Sequence, residues 1–146
     1  MYIISGCLLG HNCKYNGGNN RCEAVVEFCR THEYIGVCPE SAGNLQAPRP
    51  PAEKVGNRIM NKEGEDVTDK FLKGAEISFK VCMQMAALRN EPIEGAILKA
   101  NSPSCGSGKI YDGTFSGRLV DGNGVFASML KAQGIEVITE KETIKW

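Results

Sequence analysis

The chain has no excess of charge of either sign, since its 146 residues include 17 Lys and Arg against 17 Asp and Glu. A neutral chain offers no basic surface that would attract nucleic acid or an anionic membrane. We therefore expect no nucleic-acid duplex among its partners. A small molecule of nucleobase size remains compatible with this composition.

Long apolar segments are also missing. The apolar stretch over residues 2–4 is too short for a secretory signal, and no basic segment precedes it. No apolar run approaches the roughly 20 residues that a membrane-spanning helix needs. The chain also lacks internal repeats and low-complexity tracts. From its length and its hydrophobic share of 42%, we expect one globular domain over residues 1–146, cytoplasmic and without a membrane partner.

Apolar patterns predict strands that alternate with helices. The predicted strands are residues 2–5, 34–37, 94–99 and 135–139, with a small strand pair near 58–60, and the predicted helices are 21–32, 67–89 and 125–133. Asp66 or Thr68 is placed to cap the second helix. Such alternation favours right-handed crossovers and a parallel sheet. We therefore expect an α/β fold, a small three-layer sandwich with a Rossmann- or flavodoxin-like parallel sheet of about four to five strands.

Two long segments between these elements are expected to be irregular. Residues 41–66 carry three of the six prolines, and we expect Arg49 and Glu53 to pair and hold this excursion. Residues 106–124 are rich in glycine and are expected to form a loop.

Seven cysteines stand out in a chain expected to be cytoplasmic. A reducing compartment disfavours structural disulfides, so a surplus of cysteine there indicates metal binding or catalysis. Cys22, Cys29 and Cys82 lie at apolar positions of predicted helices, where a free thiol packs as a small hydrophobic group. We assign these three to the core.

Three other cysteines, Cys7, Cys38 and Cys105, lie in turn-forming sequence after the first three strands of the predicted sheet. Ligands of open α/β sheets bind at the carboxyl ends of the strands, so we expect these cysteines to converge. Thiolates select zinc, Cu(I) or iron–sulfur centres. Three thiolates leave a coordination position open, and open positions are where metal chemistry takes place.

Cys13 leaves two alternatives open. It lies in the first loop, as does His11, and is close enough in sequence to Cys7 to act with it. One alternative is a non-enzymatic module in which Cys7, Cys13, Cys38 and Cys105 close a zinc site, although the chain lacks the C-x-x-C pairs typical of zinc ribbons. The other is a thiol-redox protein that uses Cys7 and Cys13 as a disulfide pair.

A series of motifs in the chain is similar to a known family. In order, they are Gly6-Cys7-Leu8-Leu9-Gly10, Cys13-Lys14-Tyr15-Asn16-Gly17, Cys38-Pro39-Glu40, PRPPAE at 48–53, Asp66-Val67-Thr68, Ser102-Pro103-Ser104-Cys105-Gly106, IYDGTFSG at 110–117 and Gly122-Asn123-Gly124-Val125. The series resembles the thiouracil desulfurase family, formerly a domain of unknown function, over nearly the whole chain.

The resemblance implies a 4Fe–4S cluster held by Cys7, Cys38 and Cys105, with the fourth iron free to bind the sulfur of a thiocarbonyl substrate. It implies hydrolytic removal of sulfur from a thiolated nucleobase such as 2-thiouracil, with release of hydrogen sulfide. Glu40 and Ser102 are then the candidates for acid–base chemistry and substrate positioning. Their structural alternatives are a capping or surface carboxylate and a turn hydroxyl.

Overall fold

A parallel four-stranded sheet lies at the centre of the computed structural model, which describes residues 1–146. In chain order the elements are β1 (Tyr2–Ser5), α1 (Glu23–Cys29), β2 (Tyr34–Val37), α2 (Pro39–Ala42), β3 (Ala52–Val55), β4 (Arg58–Asn61), α3 (Thr68–Leu88), β5 (Gly95–Leu98), β6 (Lys109–Tyr111), β7 (Leu119–Asp121), α4 (Val125–Ala132) and β8 (Val137–Thr139). A 3₁₀ turn over Gly6–Leu9 follows β1 directly. None of the helices is long and apolar enough to cross a membrane.

The sheet has the strand order β2-β1-β5-β8, and all of its neighbouring strands are parallel. The chain therefore moves outward from β1 to β2 and then returns across β1 to β5. This reversal places the topological switch point of the sheet between the carboxyl ends of β1 and β5. The α/β class and the parallel sheet predicted from the sequence are confirmed.

Helices cover both faces of the sheet and give it three layers. Ile4 of β1 is fully buried in the core on the α1 side, whereas its neighbour Ile3 is fully buried in the core beneath α3 and α4. β5 alternates in the same way, with Ile97 on the α1 side and Leu98 on the other. Strands buried on both faces have continuous apolar sequences, which is why these two were recognisable.

The long helix α3 begins at Thr68, and its N-cap position is Val67, which is neither of the two predicted caps, Asp66 and Thr68. Asp66 instead forms a turn with the first residue of the helix. Its Oδ1 accepts hydrogen bonds from the backbone N–H of Thr68 at 2.9 Å and from the Thr68 hydroxyl at 2.6 Å. These bonds, together with the guanidinium of Arg58, lower the pKa of Asp66 to about 2. The Thr68 hydroxyl in turn accepts the N–H of Ile59 at 2.8 Å and so ties the helix to β4.

Two features differ from the sequence-based expectation. The first helix spans Glu23–Cys29 and is shorter than the predicted 21–32. The segment 106–124, predicted as a loop, contains the antiparallel hairpin of β6 and β7. Each of these strands has three residues, and every residue of β7 is exposed, so no alternation of apolar and polar positions was available to predict them.

Candidate active site

A cavity of about 460 Å³ opens at the carboxyl ends of β1, β2 and β5. We call it the cysteine cavity. Its lining includes all six residues that the sequence put forward: Cys7, Cys13, Cys38, Glu40, Ser102 and Cys105. These residues come from three loops that are far apart in sequence, and the switch point of the sheet brings them together.

Cys7 lies in the 3₁₀ turn that continues β1. The turn ends at Gly10, whose backbone φ of 95° is one that favours glycine, and the Gly10 N–H donates to the Cys7 carbonyl oxygen at 3.2 Å. The Asn20 N–H donates to the same oxygen at 2.9 Å. Burial raises the pKa of the Cys7 thiol, while the Asn20 side chain opposes that shift by a hydrogen bond to the sulfur.

Cys105 lies in a tight turn between β5 and the hairpin of β6 and β7. Its backbone N–H donates to Ser102 Oγ at 2.7 Å, and the carbonyl oxygen of Ser104 accepts the N–H of Phe126 at 2.9 Å in the first turn of α4. Cys105 itself is only 4% exposed. Burial raises the pKa of the Cys105 thiol to about 12, although the Ser5 hydroxyl donates to the sulfur and the Ser104 hydroxyl lies 3.7 Å from it. Ser102 therefore has the turn-forming role that was one of its two predicted readings.

Cys38 ends β2 and immediately precedes the short helix α2. Its following residue, Pro39, packs against α3 at Gly74, where an added Cβ would lie 1.8 Å from the Pro39 carbonyl oxygen. No other residue type fits at this close approach of two backbones. Gly74 thus fixes the position of the Cys38-Pro39-Glu40 segment relative to the long helix.

The Cys13 thiol forms a hydrogen bond, and no disulfide, with Cys38. The Cys38 sulfur lies 3.8 Å from the Cys13 carbonyl oxygen. A hydrogen bond from the Cys13 thiol to the Cys38 sulfur lowers the pKa of Cys38 and raises that of Cys13. The backbone N–H and hydroxyl of Ser41 also donate to Cys38, which reinforces the lower pKa.

Glu40 lies between a guanidinium and a hydroxyl at the edge of the cysteine cavity. Arg49 Nε donates to Glu40 Oε1 at 3.2 Å, and Ser104 Oγ donates to Glu40 Oε2 at 2.9 Å. The side chains of Arg49 and Glu40 are 7% and 18% exposed. Burial raises the pKa of Glu40, and the charge of Arg49 opposes this as the next largest effect.

The predicted pairing of Arg49 with Glu53 is wrong. Besides Glu40, the Arg49 guanidinium donates to the carbonyl oxygens of Cys13 at 2.8 Å and Leu45 at 2.9 Å. Arg49 therefore joins the Cys13 loop to the Glu40 helix, and Glu53 bonds elsewhere. A single buried guanidinium with five donors satisfies several acceptors at once, which local sequence spacing does not reveal.

Sequence reasoning missed three residues of this site. Ser104 and Arg49 hold Glu40, and Glu140 holds the end of β5. Glu140 accepts the Ala100 N–H at 2.7 Å through Oε1 and pairs with Lys99 Nζ at 3.0 Å through Oε2. Glu140 follows β8, and only the pairing of β8 with β5 brings it beside Lys99 and Ala100. Its place along the chain therefore did not predict this contact.

The remaining sulfur and imidazole groups lie outside the cavity. Cys82 is buried beneath α3, and Cys22 and Cys29 are half-buried against the core on the α1 side, so the core assignment of these three is confirmed. His11 packs over Gly6 and is not part of the cavity lining. All seven cysteines are free thiols.

The spacing of the cavity thiols bears on which centre they could hold. Ligands about 2.3 Å from a tetrahedral zinc ion lie within roughly 4 Å of each other. No three His, Cys, Asp or Glu side chains are grouped closely enough to hold one metal ion. Three cysteine thiols from separate loops line one cavity of about 460 Å³, and cysteine thiolates are the ligands that hold iron–sulfur clusters.

The chain is similar to known proteins in sequence and in fold. The sequence profile of 2-thiouracil desulfurase matches residues 2–142. The uncharacterized protein YbbK of Bacillus subtilis (strain 168) is 38% identical in an alignment of 152 positions, gaps included, which covers 97% of this chain and 97% of that one. A solved structure of the 4Fe–4S-dependent thiouracil desulfidase TudS is 37% identical, with a TM-score of 0.85 over 96% of this chain and 90% of that one. The chain belongs to the 2-thiouracil desulfurase family.

Proposed function

We propose that this chain is an enzyme that hydrolytically removes sulfur from a thiolated nucleobase such as 2-thiouracil and releases hydrogen sulfide. Cys7, Cys38 and Cys105 hold a 4Fe–4S cluster in this proposal. The observation that carries it is the convergence of these thiols with Glu40 on one cavity, in a chain of this family. The cluster, when bound, supplies an iron with an open position and affinity for soft sulfur.

Glu40 is the proposed general base. Burial raises its pKa, and a carboxylate of raised pKa is a more effective base near neutral pH. Arg49 and Ser104 each hold one carboxylate oxygen and so fix the direction of its remaining lone pairs. A water gives one proton to Glu40 while its oxygen bonds to the thiocarbonyl carbon and the π electrons of the C=S bond move to sulfur. The remaining carbon–sulfur bond then breaks as the C=O bond forms, so that Glu40 returns its proton to the departing sulfur and the proton of the new hydroxyl is released to it through water. The net change is C=S and water to C=O and hydrogen sulfide, and Glu40 is regenerated as a carboxylate.

Ser102 is the proposed positioning residue. Its Oγ accepts the Cys105 N–H at 2.7 Å, which leaves its hydroxyl proton to be donated. The nearest side-chain acceptor is Ser104 Oγ at 3.4 Å, a long contact that a substrate heteroatom in the cavity could replace. Ser102 can therefore orient both the Cys105 turn and a polar group of the substrate.

The two alternative functions lack comparable support. A four-cysteine zinc module needs thiols grouped around one ion, and no such group is present. A redox pair of Cys7 and Cys13 needs those two thiols together, whereas Cys13 pairs with Cys38. The proposal includes a single catalytic domain over residues 1–146 in the reducing cytoplasm, where seven free thiols are stable.

The test is to reconstitute the protein with iron and sulfide in the absence of oxygen and to measure its iron, acid-labile sulfide and visible spectrum. About four irons per chain are expected, with charge-transfer absorption in the visible range. Cys105→Ser should lose most of this iron. The matched control Cys29→Ser, which changes a half-buried cysteine outside the cavity, should keep it.

The second half of the test is activity. Reconstituted wild-type protein and Cys29→Ser should release sulfide from 2-thiouracil and form uracil, whereas Cys105→Ser should not. Stoichiometric zinc without colour, or a loaded cluster with no sulfide release from 2-thiouracil, would overturn the proposed function.

A further inference from the structure

The segment between β6 and β7 brings aromatic residues to the cysteine cavity. Residues 111–117, which we call the aromatic loop, line it through Tyr111, Phe115 and Gly117. Phe115 is half-buried there. The chemistry proposed above uses none of these side chains, so the presence of a phenyl ring in the lining of the cavity that also holds Glu40 needs a separate explanation.

A buried carboxylate anchors the aromatic loop. Glu53 of β3 is only 8% exposed, and its Oε1 accepts the backbone N–H groups of Gly113 at 2.9 Å and Phe115 at 3.1 Å. Gly113 has a φ of 96°, and a Cβ there would lie 2.2 Å from a methyl group of Val55. Glu53 and Val55 of β3 thus hold the aromatic loop in place at Gly113 and Phe115, on both sides of Thr114.

Phe115 has a strained backbone. Its φ of 56° is in the left-handed region, which bulky side chains rarely occupy. Such a conformation persists only where surrounding contacts impose it, and strained residues concentrate at ligand sites. The hydrogen bond from the Phe115 N–H to Glu53 is one of the contacts that hold this conformation.

We propose that Phe115 stacks its ring on the planar ring of the substrate and that Glu53 is the positioning residue that holds Phe115 in place. The proposal rests on the function proposed above, because it takes a pyrimidine as the ligand. An aromatic face selects flat, conjugated rings and leaves their edges free for polar contacts. Phe115 would therefore discriminate between ring-shaped thiocarbonyl compounds and small acyclic ones.

The test compares Phe115→Leu with Phe115→Tyr in the reconstituted protein. Leucine keeps an unbranched Cβ and apolar bulk but has no aromatic face, whereas tyrosine keeps the ring. Uracil binding is measured by isothermal titration calorimetry, in which the stoichiometry reports the folded fraction separately from the Kd. Loss of base–aromatic stacking should weaken binding by roughly tenfold in Phe115→Leu. Phe115→Tyr should bind as the wild type does.

Kinetics with 2-thiouracil give a second measurement. The KM of Phe115→Leu should rise by a factor similar to its Kd for uracil, because the proposed chemistry does not involve the ring. Glu53→Ala should raise KM in the same way, and Glu53→Gln should partly restore it, since the amide oxygen can still accept a hydrogen bond.

The outcomes separate this proposal from the proposed function. Equal uracil affinity in wild type and Phe115→Leu would overturn the stacking proposal, even if both proteins release sulfide. Weakened binding in Phe115→Tyr as well as in Phe115→Leu would also overturn it, because the ring would not be the feature that matters. A wild-type protein that binds uracil through Phe115 but releases no sulfide would support the stacking proposal and overturn the proposed reaction alone.

Discussion

Glu40 shows how a carboxylate can be both buried and functional. Removal from water disfavours its charge and raises its pKa, while Arg49 and the Ser104 hydroxyl act in the opposite direction. A carboxylate without such partners would stay protonated in a buried site and could not accept a proton. The two partners therefore set the pH at which the proposed base becomes active.

The first prediction concerns this pH dependence. Since a base must be ionised, kcat/KM for sulfide release should fall as pH is lowered through the raised pKa of Glu40, above the usual value of 4.5. Ser104→Ala removes a hydrogen bond that favours the carboxylate, so the acid limb of the profile should move to higher pH. An unchanged midpoint in Ser104→Ala would contradict the assigned role of the hydroxyl.

Glu40→Gln gives a complementary prediction. The amide keeps the shape of the side chain but cannot take the proton of water, so kcat should fall by about 10²–10⁴. Iron content after reconstitution should equal that of the wild type, because Glu40 is not among the proposed ligands. A variant that loses its iron together with its activity would assign Glu40 to the support of the cluster instead.

At this scale the sequence indicated candidate groups but not their partners. Glu40 became a candidate through the family resemblance, as part of the Cys38-Pro39-Glu40 motif. Ser104 is 64 residues from Glu40, and the fold alone makes them neighbours. The Ser102-Pro103-Ser104 motif also offers two similar hydroxyls, and only the turn geometry assigns one to Cys105 and the other to Glu40.

Among the secondary-structure elements, α2 and α3 are unusually close, and Gly74 permits this. Alanine in place of glycine inside a helix normally stabilises it by about 1 kcal/mol. Here the added methyl group would collide with the backbone of Pro39, 1.8 Å away. The collision should outweigh the gain in helix propensity, because two packed backbones cannot both move freely.

We therefore predict that Gly74→Ala is destabilising by about 1–3 kcal/mol, a cost typical of overpacking, and lowers iron retention because Cys38 is next to Pro39. Thermal unfolding and iron content after gel filtration measure the two effects. Lys73→Ala, at the exposed neighbouring position, is the matched control and should change neither. A stabilised Gly74→Ala protein with full iron content would contradict this account of the helix contact.

Elements with a strong repeating pattern were predictable, and the others were not. The helix α3 was recognised because its apolar residues follow the helix period, and the buried strands of the central sheet because they are short continuous apolar runs. In the hairpin of β6 and β7 only Ile110 is buried, and tertiary contacts such as Glu53 with the aromatic loop hold its connecting segment in place. Its role at the cavity was therefore invisible in the sequence.

For the molecule as a whole, the strand order explains why distant cysteines meet. The chain leaves β1 in one direction and later returns in the other, so the loops after β1, β2 and β5 end beside one another. At this junction Cys105 is buried and Cys7 half-buried, and burial raises the pKa of both thiols. The cluster-free protein keeps protons on sulfurs that a metal centre would need as thiolates.

The last prediction follows from these protons. At pH values above 9.0, the usual pKa of a thiol, Cys105 of the unfolded chain loses a proton that the folded cluster-free chain retains up to a pKa of about 12. The cluster-free protein should therefore lose stability as pH rises through this range, whereas in the loaded protein the cysteine is a ligand and no longer titrates. Since a centre that binds only the folded chain stabilises it, reconstitution should raise Tm by about 5–10 °C near neutral pH, and by more in alkaline solution. Calorimetry measures the Tm of loaded and cluster-free protein near neutral pH and in alkaline solution. The Tm of Cys105→Ser should not respond to reconstitution at either pH. A Tm difference that shrinks as pH rises would mean that the buried thiols are not the ligands of the cluster.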